Sequence, residues 1–170
     1  VDDLLLRTGA AKVNIIAHSQ GGIDSRYAVS ALSYGDRVGM LNMIASPHQG
    51  TELCDVILDD PTGIGKPILD ALLTVMGAVL DGPEAEQDAQ ASFESLSTKY
   101  MRDEFNPKYP DDPRVAYKSW GGKTCYAWEN CGTAVNTYLV ATYELLKSRA
   151  GDNDAVVKAR RQIEMLTPLV

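Results

Sequence analysis

The feature that most constrains this chain is the stretch KVNIIAHSQGG, residues 12–22. A short and nearly continuous apolar run is followed by His18, Ser19 and Gln20, and then by two glycines that lead into a helical pattern. An apolar run of this kind favours a strand that is buried on both faces, as in a parallel sheet. We therefore predict a strand, a sharp turn with Ser19 at its apex, and a helix.

The same alternation of helix and strand continues on both sides of this stretch. It predicts an α/β fold with a partial parallel sheet and flanking helices. We expect the helix after Ser19 to bury an apolar face, made of Ile23, Tyr27, Val29 and Leu32. The predicted helices are residues 2–9, ending at Gly9, and residues 20–35, 91–105 and 133–149; the further strands are 37–46 and 114–120; residues 106–113 are predicted as a loop.

The turn at Ser19 has the composition that a nucleophilic serine needs. A serine hydroxyl reacts only when a base activates it and when donors stand ready for the oxyanion. A strand-to-helix turn presents the serine, and we expect small residues two before and two after it, here Ala17 and Gly21. Gly22 would also let the helix start close to the strand. The alternative is a small-residue turn whose serine does no chemistry.

Composition narrows the class of protein. The chain has 170 residues, 45% of them hydrophobic, and a formal net charge of −7. Acidity of this size argues against a nucleic-acid partner. The cysteines are Cys54, Cys125 and Cys131. Cys125 and Cys131 could form a disulfide in an exported protein, and the alternative is three reduced thiols.

Residues 62–82 break the alternation of helix and strand. The stretch is apolar almost all round, and its polar residues follow one helical stripe. It is interrupted by Lys66 and Asp70, which argues against a membrane-spanning helix. We interpret it as a helix with a wide apolar face. That face either packs in the core or belongs to a mobile flap that meets lipid or covers a site.

Four segments together resemble the secreted bacterial triacylglycerol lipases of family I, which have the α/β-hydrolase fold. Residues 1–27 resemble the helix, strand and nucleophile turn of that family. MIASPHQGTELCD, residues 43–55, resembles its Pro-His-x-Gly loop, and residues 96–120 resemble the stretch that ends in Tyr-x-Ser-Trp. GDNDAVV, residues 151–157, resembles the loop that carries the catalytic acid. The four segments occur in the order of the family.

The resemblance implies roles for particular residues. Ser19 would be the nucleophile, the backbone N–H of Gln20 would donate to the oxyanion, and Asp154 would be the acid of the triad, with Asp152 as the fallback. Residues 55–95 fall where the family has its helical lid, which favours the flap over the core helix. The expected organisation is a single α/β-hydrolase domain over residues 1–170, with the lid as an insertion.

The machinery of the family is not complete in these residues. On this fold the histidine of the triad follows the acid, whereas His18 and His48 both precede Asp154. We expect the His18 side chain to point away from Ser19 and His48 to be a hydrogen-bonded loop histidine. The second oxyanion donor would lie before residue 1. We therefore predict that the chain is the central part of a lipase, incomplete at both ends.

The resemblance also implies cofactors and partners. Catalysis needs no cofactor, but the family holds a structural calcium ion; where an aspartate ligand is expected the chain has Asn136, so no metal site is predicted. The implied substrate is an acylglycerol or another ester at a lipid–water interface, and the implied location is outside the cell. A dedicated folding chaperone and the oligomeric state stay open.

Three functions remain after this reasoning. The first is a carboxylester hydrolase, a triacylglycerol lipase that works through an acyl-enzyme. The second is an esterase of short soluble esters. The third applies if the chain truly ends at Val170: a non-catalytic α/β-hydrolase-like domain that binds a lipid or a protein.

Overall fold

The computed structural model describes residues 1–59, 91–122, 124, 125 and 140–150. Helices and strands alternate along the first part of the chain, as predicted. The main elements are α1 (Asp2–Thr8), β1 (Val13–His18), α2 (Gln20–Ala31), β2 (Val38–Ile44), α3 (Glu52–Leu58), β3 (Ala116–Trp120) and α4 (Val140–Ala150). Helix α1 ends at Gly9, whose φ of 67° is in the left-handed region that glycine adopts freely. A 3-10 turn, Tyr34–Asp36, leads into β2.

The three strands form a parallel sheet in the order β1-β2-β3. The register places His18 beside Ile44, and Ile44 beside Trp120, in one row at the carboxyl ends of the strands. The predicted parallel α/β sheet is thereby confirmed. Ligand and catalytic sites of open α/β sheets lie at this edge, and the turn after β1 belongs to it.

The core lies between the sheet and helix α2. Its buried members come from β1, β2, α2 and the residue just before β3, and they are Ala17, Val29, Val38, Leu41, Met43 and Val115. The opposite face of the sheet is open: Ile16 is 75% exposed, Trp120 59% and Ile44 42%. The prediction that β1 and β2 are buried on both faces was therefore wrong for the described residues, because α2 covers only one face.

Helix α2 buries part of the predicted face, since Ile23 and Val29 are buried as predicted. Its buried residues are Gly22, Ile23, Arg26 and Val29, which follow one another at helical spacing. Tyr27 and Leu32 are exposed, against the prediction. The Tyr27 ring instead packs edge-on against the Tyr109 ring, with 4.8 Å between centroids. An arginine thus occupies the stripe that was predicted to be apolar.

Residues 91–113 also depart from the prediction. The helical residues 91–95 end before Ser97, whose hydroxyl accepts a hydrogen bond from the N–H of Tyr100 and caps a new helix. This second helix, called here the 98–108 segment, runs through Thr98–Tyr100, a π-helical turn at Met101–Phe105, and Asn106–Lys108. Residues 106–108 are therefore helical rather than loop.

Helix α3 is joined to the rest of the described structure at both of its faces. The Asp55 carboxylate accepts hydrogen bonds from the Thr98 N–H, at 2.9 Å, and from its hydroxyl, at 2.6 Å. On the other side Leu53 packs against Leu146 of α4. None of the helices in the described ranges is both long and apolar enough to cross a membrane.

The cysteines divide into two kinds. Cys125 is disulfide-bonded, whereas Cys54 is a free and buried thiol. Burial, with the Asp55 charge adding to it, raises the pKa of Cys54 to about 12. Since the thiolate is the reactive form, Cys54 is an inert core residue. Cys131 lies outside the described residues.

Candidate active site

Ser19 stands on the turn between β1 and α2 in a backbone conformation that few residues adopt. Its φ is 53° and its ψ is −131°, a strained combination for a residue with a side chain. Two backbone hydrogen bonds hold the turn: the Ser19 N–H donates to the Ile44 carbonyl at 2.9 Å, and the Ser19 carbonyl accepts from the Gly22 N–H at 3.1 Å. The strand, the sharp turn and the helix that the sequence predicted are all present.

The Ser19 side chain is not used as a helix cap. A serine before a helix usually accepts a hydrogen bond from one of the first N–H groups, but Ser19 makes no such bond to α2. The residue is partly exposed. Its strained backbone therefore does not serve to cap the helix. It places the Ser19 hydroxyl at the carboxyl end of the sheet instead.

Gln20 is the first residue of α2. The first N–H groups of a helix have no partner within it and carry the positive end of the helix dipole. This is the environment in which a backbone N–H can stabilise a developing oxyanion. The role of Gln20 as oxyanion donor stays a prediction.

Gly22, rather than Gly21, allows the close approach of the helix. A Cβ on Gly22 would lie 2.8 Å from Ser46 Cβ and 3.2 Å from Met43 Cγ, whereas a Cβ on Gly21 would have no atom within 4 Å. The expectation that the second position after the serine must be small was therefore wrong. The first turn of α2 lies over the loop after β2, and Gly22 is its point of contact.

That loop, residues 45–50, is itself unusual. Ala45 has a φ of 50°, and Gly50 has a φ of 73° where a Cβ would lie 2.5 Å from Thr98 Cα. Ser46 and His48 are fully buried. The loop is thus packed between α2 on one side and the 98–108 segment on the other.

Neither histidine makes a hydrogen bond to Ser19 in the described part of the chain. His18 is exposed and alternates with the buried Ala17, so its side chain leaves the sheet on the open face, as predicted. His48 is buried, and neither of its ring nitrogens has a hydrogen-bond partner within the described part of the chain. The expectation of a hydrogen-bonded loop histidine was therefore wrong. Burial, and the positive charge of Arg26, lower the pKa of His48 to about 4.

Three polar residues near the site were missed by the sequence reasoning. They are Arg26, Asn106 and Ser46. Arg26 lies on α2, Ser46 lies in the loop at 45–50 against Gly22, and Asn106 hydrogen-bonds to Arg26 and to the loop. The sequence contained one indication of this arrangement. Arg26 lies three residues after Ile23 and three before Val29, on the same face of the helix. A charged residue in an apolar stripe needs a partner. Nothing local in the sequence identifies Asn106, which is 80 residues away.

Several predicted residues lie outside the described part of the chain. They are Asp152, Asp154, Asn136 and residues 60–90 of the predicted lid. Within the described ranges no group of three or more histidine, cysteine, aspartate or glutamate side chains could hold a metal ion. Asn136, where the resemblance places a calcium ligand, is outside these ranges, so the expectation about calcium stays a prediction.

Comparisons with known proteins agree with this geometry. A triacylglycerol lipase of Pseudarthrobacter phenanthrenivorans is 37% identical over 103 residues, which are 58% of this chain and 32% of that protein. A triacylglycerol lipase of Vibrio cholerae is 29% identical over 147 residues, 80% of this chain and 46% of that protein. The chain is a homologue of the triacylglycerol lipases. It spans about a third to a half of the length of these two relatives. No protein-family model matches it.

Solved structures support the fold of this lipase homologue. The mature form of the lipase BlEst2 from Bacillus licheniformis matches with a TM-score of 0.68 and 20% identity, over 95% of this chain and 56% of that one. EstA from Clostridium botulinum matches with a TM-score of 0.62 and 19% identity, over 89% of this chain and 51% of that one. The fold is the α/β-hydrolase fold.

Proposed function

We propose that this chain carries the nucleophile of a carboxylester hydrolase that acts as a triacylglycerol lipase. The observation that carries the proposal is the strained backbone of Ser19 at the strand-to-helix turn, in a homologue of triacylglycerol lipases. Strain of this kind costs on the order of 1–3 kcal/mol and persists at functional sites. The ψ of −131° sets Ser19 apart from Ser33, which lies in the ordinary left-handed region with a ψ of 34°.

The proposed reaction proceeds through an acyl-enzyme. The Ser19 hydroxyl attacks the ester carbonyl as a base takes its proton, and the N–H of Gln20 donates to the oxyanion that forms. The alcohol leaves with a proton from the same base, and water then releases the fatty acid. Asp154 orients the base, which we propose to be a histidine outside these 170 residues, because His48 is buried and His18 faces away.

A fluorophosphonate probe tests this proposal, because it reacts only with an activated serine. We expect the probe to label the intact protein at Ser19 and the Ser19→Ala variant to remain unlabelled. Ser25→Ala is the matched control, since in the described part of the chain the Ser25 hydroxyl donates to the Gly21 carbonyl, within α2. Labelling that persists in Ser19→Ala, or an unlabelled but folded wild type, would contradict the assignment.

The substrate distinguishes a lipase from an esterase of short soluble esters. The apolar stretch at residues 62–82 supports a lipase, since it offers a surface for fat. We also propose that the protein works outside the cytoplasm, because the disulfide bond at Cys125 is typical of oxidising compartments. Hydrolysis rates on emulsified triglyceride and on a soluble acetate ester, compared in one preparation, decide between the two substrate classes.

A further inference from the structure

A buried arginine lies on the helix that follows the Ser19 turn. Arg26 is on α2, and its side chain is only 3% exposed. Its Nη1 donates to Asn106 Oδ1 at 2.7 Å, and its Nε lies 3.0 Å from Asp111 Oδ1. The guanidinium also stands over the Phe105 ring, 5.5 Å from the centroid. Burying a charge costs free energy of folding, and removing one partner of a buried ion pair destabilises the folded state.

Asn106 continues this connection to a second segment. Its Nδ2 donates to the backbone carbonyl of His48 at 2.9 Å, while its Oδ1 accepts from Arg26. The amide oxygen is therefore bonded to α2, and the amide nitrogen is bonded to the loop at residues 45–50. An amide can accept from a guanidinium with its oxygen and donate to a carbonyl with its nitrogen, whereas a carboxylate can only accept.

The loop held by Asn106 is the one on which the Ser19 turn depends. Ile44, just before the loop, accepts the hydrogen bond from the Ser19 N–H. Ser46, within the loop, occupies the space into which a Cβ on Gly22 would extend. The loop is thus fixed at His48 by the amide and lies against the first turn of α2 at Gly22.

We propose that Arg26 and Asn106 are positioning residues for the nucleophile. Together they hold the 45–50 loop against α2, and the loop in turn keeps Ser19 in the backbone conformation that presents its hydroxyl. Neither side chain touches the reacting atoms. The bridge is the connection from Arg26 through Asn106 to the His48 carbonyl. This inference rests on the proposed function, since it assigns the purpose of the bridge to the reaction of Ser19.

The substitution Asn106→Asp tests the bridge with little change of shape. The carboxylate still accepts from Arg26, but it cannot donate to the His48 carbonyl. We expect the rate of fluorophosphonate labelling at Ser19 to fall at least ~tenfold, because small misplacements of a catalytic group have effects of this size. For a soluble ester we expect kcat to fall and KM to stay unchanged. Asn14→Asp, the same change on an exposed residue of β1, should alter neither.

Amide hydrogen exchange provides a readout that does not need activity. In Asn106→Asp we expect faster exchange at the Ser19 N–H, which bonds to Ile44, and at the Gly50 N–H, which bonds to Pro47. Labelling is measured well below the thermal midpoint of each variant, so that only folded protein is compared. If Asn106→Asp does not fold, Arg26→Lys replaces it, because lysine keeps the charge but cannot hold Asn106 and Asp111 with one planar fork.

The outcomes separate the two proposals. Slower labelling together with faster exchange supports the bridge. A lower thermal midpoint with unchanged labelling of the folded protein would overturn it, because the bridge would then be merely structural. If the wild type does not react with the probe, the proposed function fails. Exchange then decides only whether Arg26 and Asn106 hold the Ser19 backbone: faster exchange at Ser19 supports this structural part, and unchanged exchange overturns it.

Discussion

At the scale of single residues, His48 shows how burial sets the chemistry of a side chain. It is fully buried, it lies near the Arg26 charge, and its pKa is lowered to about 4. A neutral imidazole is therefore part of the folded state at ordinary pH. In the unfolded chain the same histidine has a pKa near 6.5 and takes up its proton first as the pH falls.

This difference predicts a loss of stability in acid. Between pH about 6.5 and about 4 the unfolded state binds more protons, so the free energy of unfolding falls as the pH falls, by about 3 kcal/mol in total from His48. Denaturant unfolding at several pH values in this window measures the slope. The His48→Leu variant should lose this part of it. Equal slopes in both proteins would contradict the prediction.

Arg26 illustrates what the sequence could and could not predict at this scale. Its place between Ile23 and Val29 was a readable signal of a buried charge. Its partners were not readable, because Asn106 and Asp111 come from a distant segment that the sequence predicted as a loop. The Ser19 turn was predictable because its requirements are local: an apolar strand before it, a glycine at position 22 for the close approach to Ser46, and a helix after it.

At the scale of elements, the packing of α2 against the loop after β2 depends on one missing methyl group. Gly22→Ala would place a Cβ 2.8 Å from Ser46 Cβ. Since both atoms are close to the backbone, the helix or the loop must move, at a cost of about 1–3 kcal/mol. We expect a lower thermal midpoint and slower labelling of Ser19 for this variant.

Gly21→Ala is the matched control for this prediction. Its Cβ meets no atom within 4 Å, and alanine is the better helix former. Its stability should therefore equal or exceed that of the wild type in the same thermal unfolding measurement. If Gly21→Ala were the more damaging of the two, the contact at Gly22 would not be what fixes α2.

At the scale of the whole molecule, the sheet is covered by α2 on one face, while Ile16 and Trp120 stand exposed on the other. The sequence predicted that the strands are parallel because helices alternate with strands along the chain. Its prediction that both faces of the strands are buried was wrong, since an apolar run looks the same whether one face or two are buried. The described residues contain Ser19 and Gln20, and the acid and the lid stay predictions.

The predicted lid can be tested in the intact protein. Leu73→Asp combined with Met76→Asp places two charges on its apolar face, and we expect hydrolysis of emulsified triglyceride to fall roughly tenfold because apolar area at the interface is lost. Hydrolysis of a soluble ester should not change. Thr74→Asp combined with Gly77→Asp adds the same charge to the polar stripe and serves as the control. Equal effects of the two pairs would refute the lid.

The strained turn at Ser19 has a consequence for how this protein can evolve. A backbone with φ of 53° and ψ of −131° is one that glycine tolerates far better than serine. Under the proposed function, selection for the reaction keeps at this position a residue that selection for stability alone would replace. A descendant freed from the reaction would gain by changing serine to glycine here, and glycine at this position would mark a lineage that has abandoned catalysis.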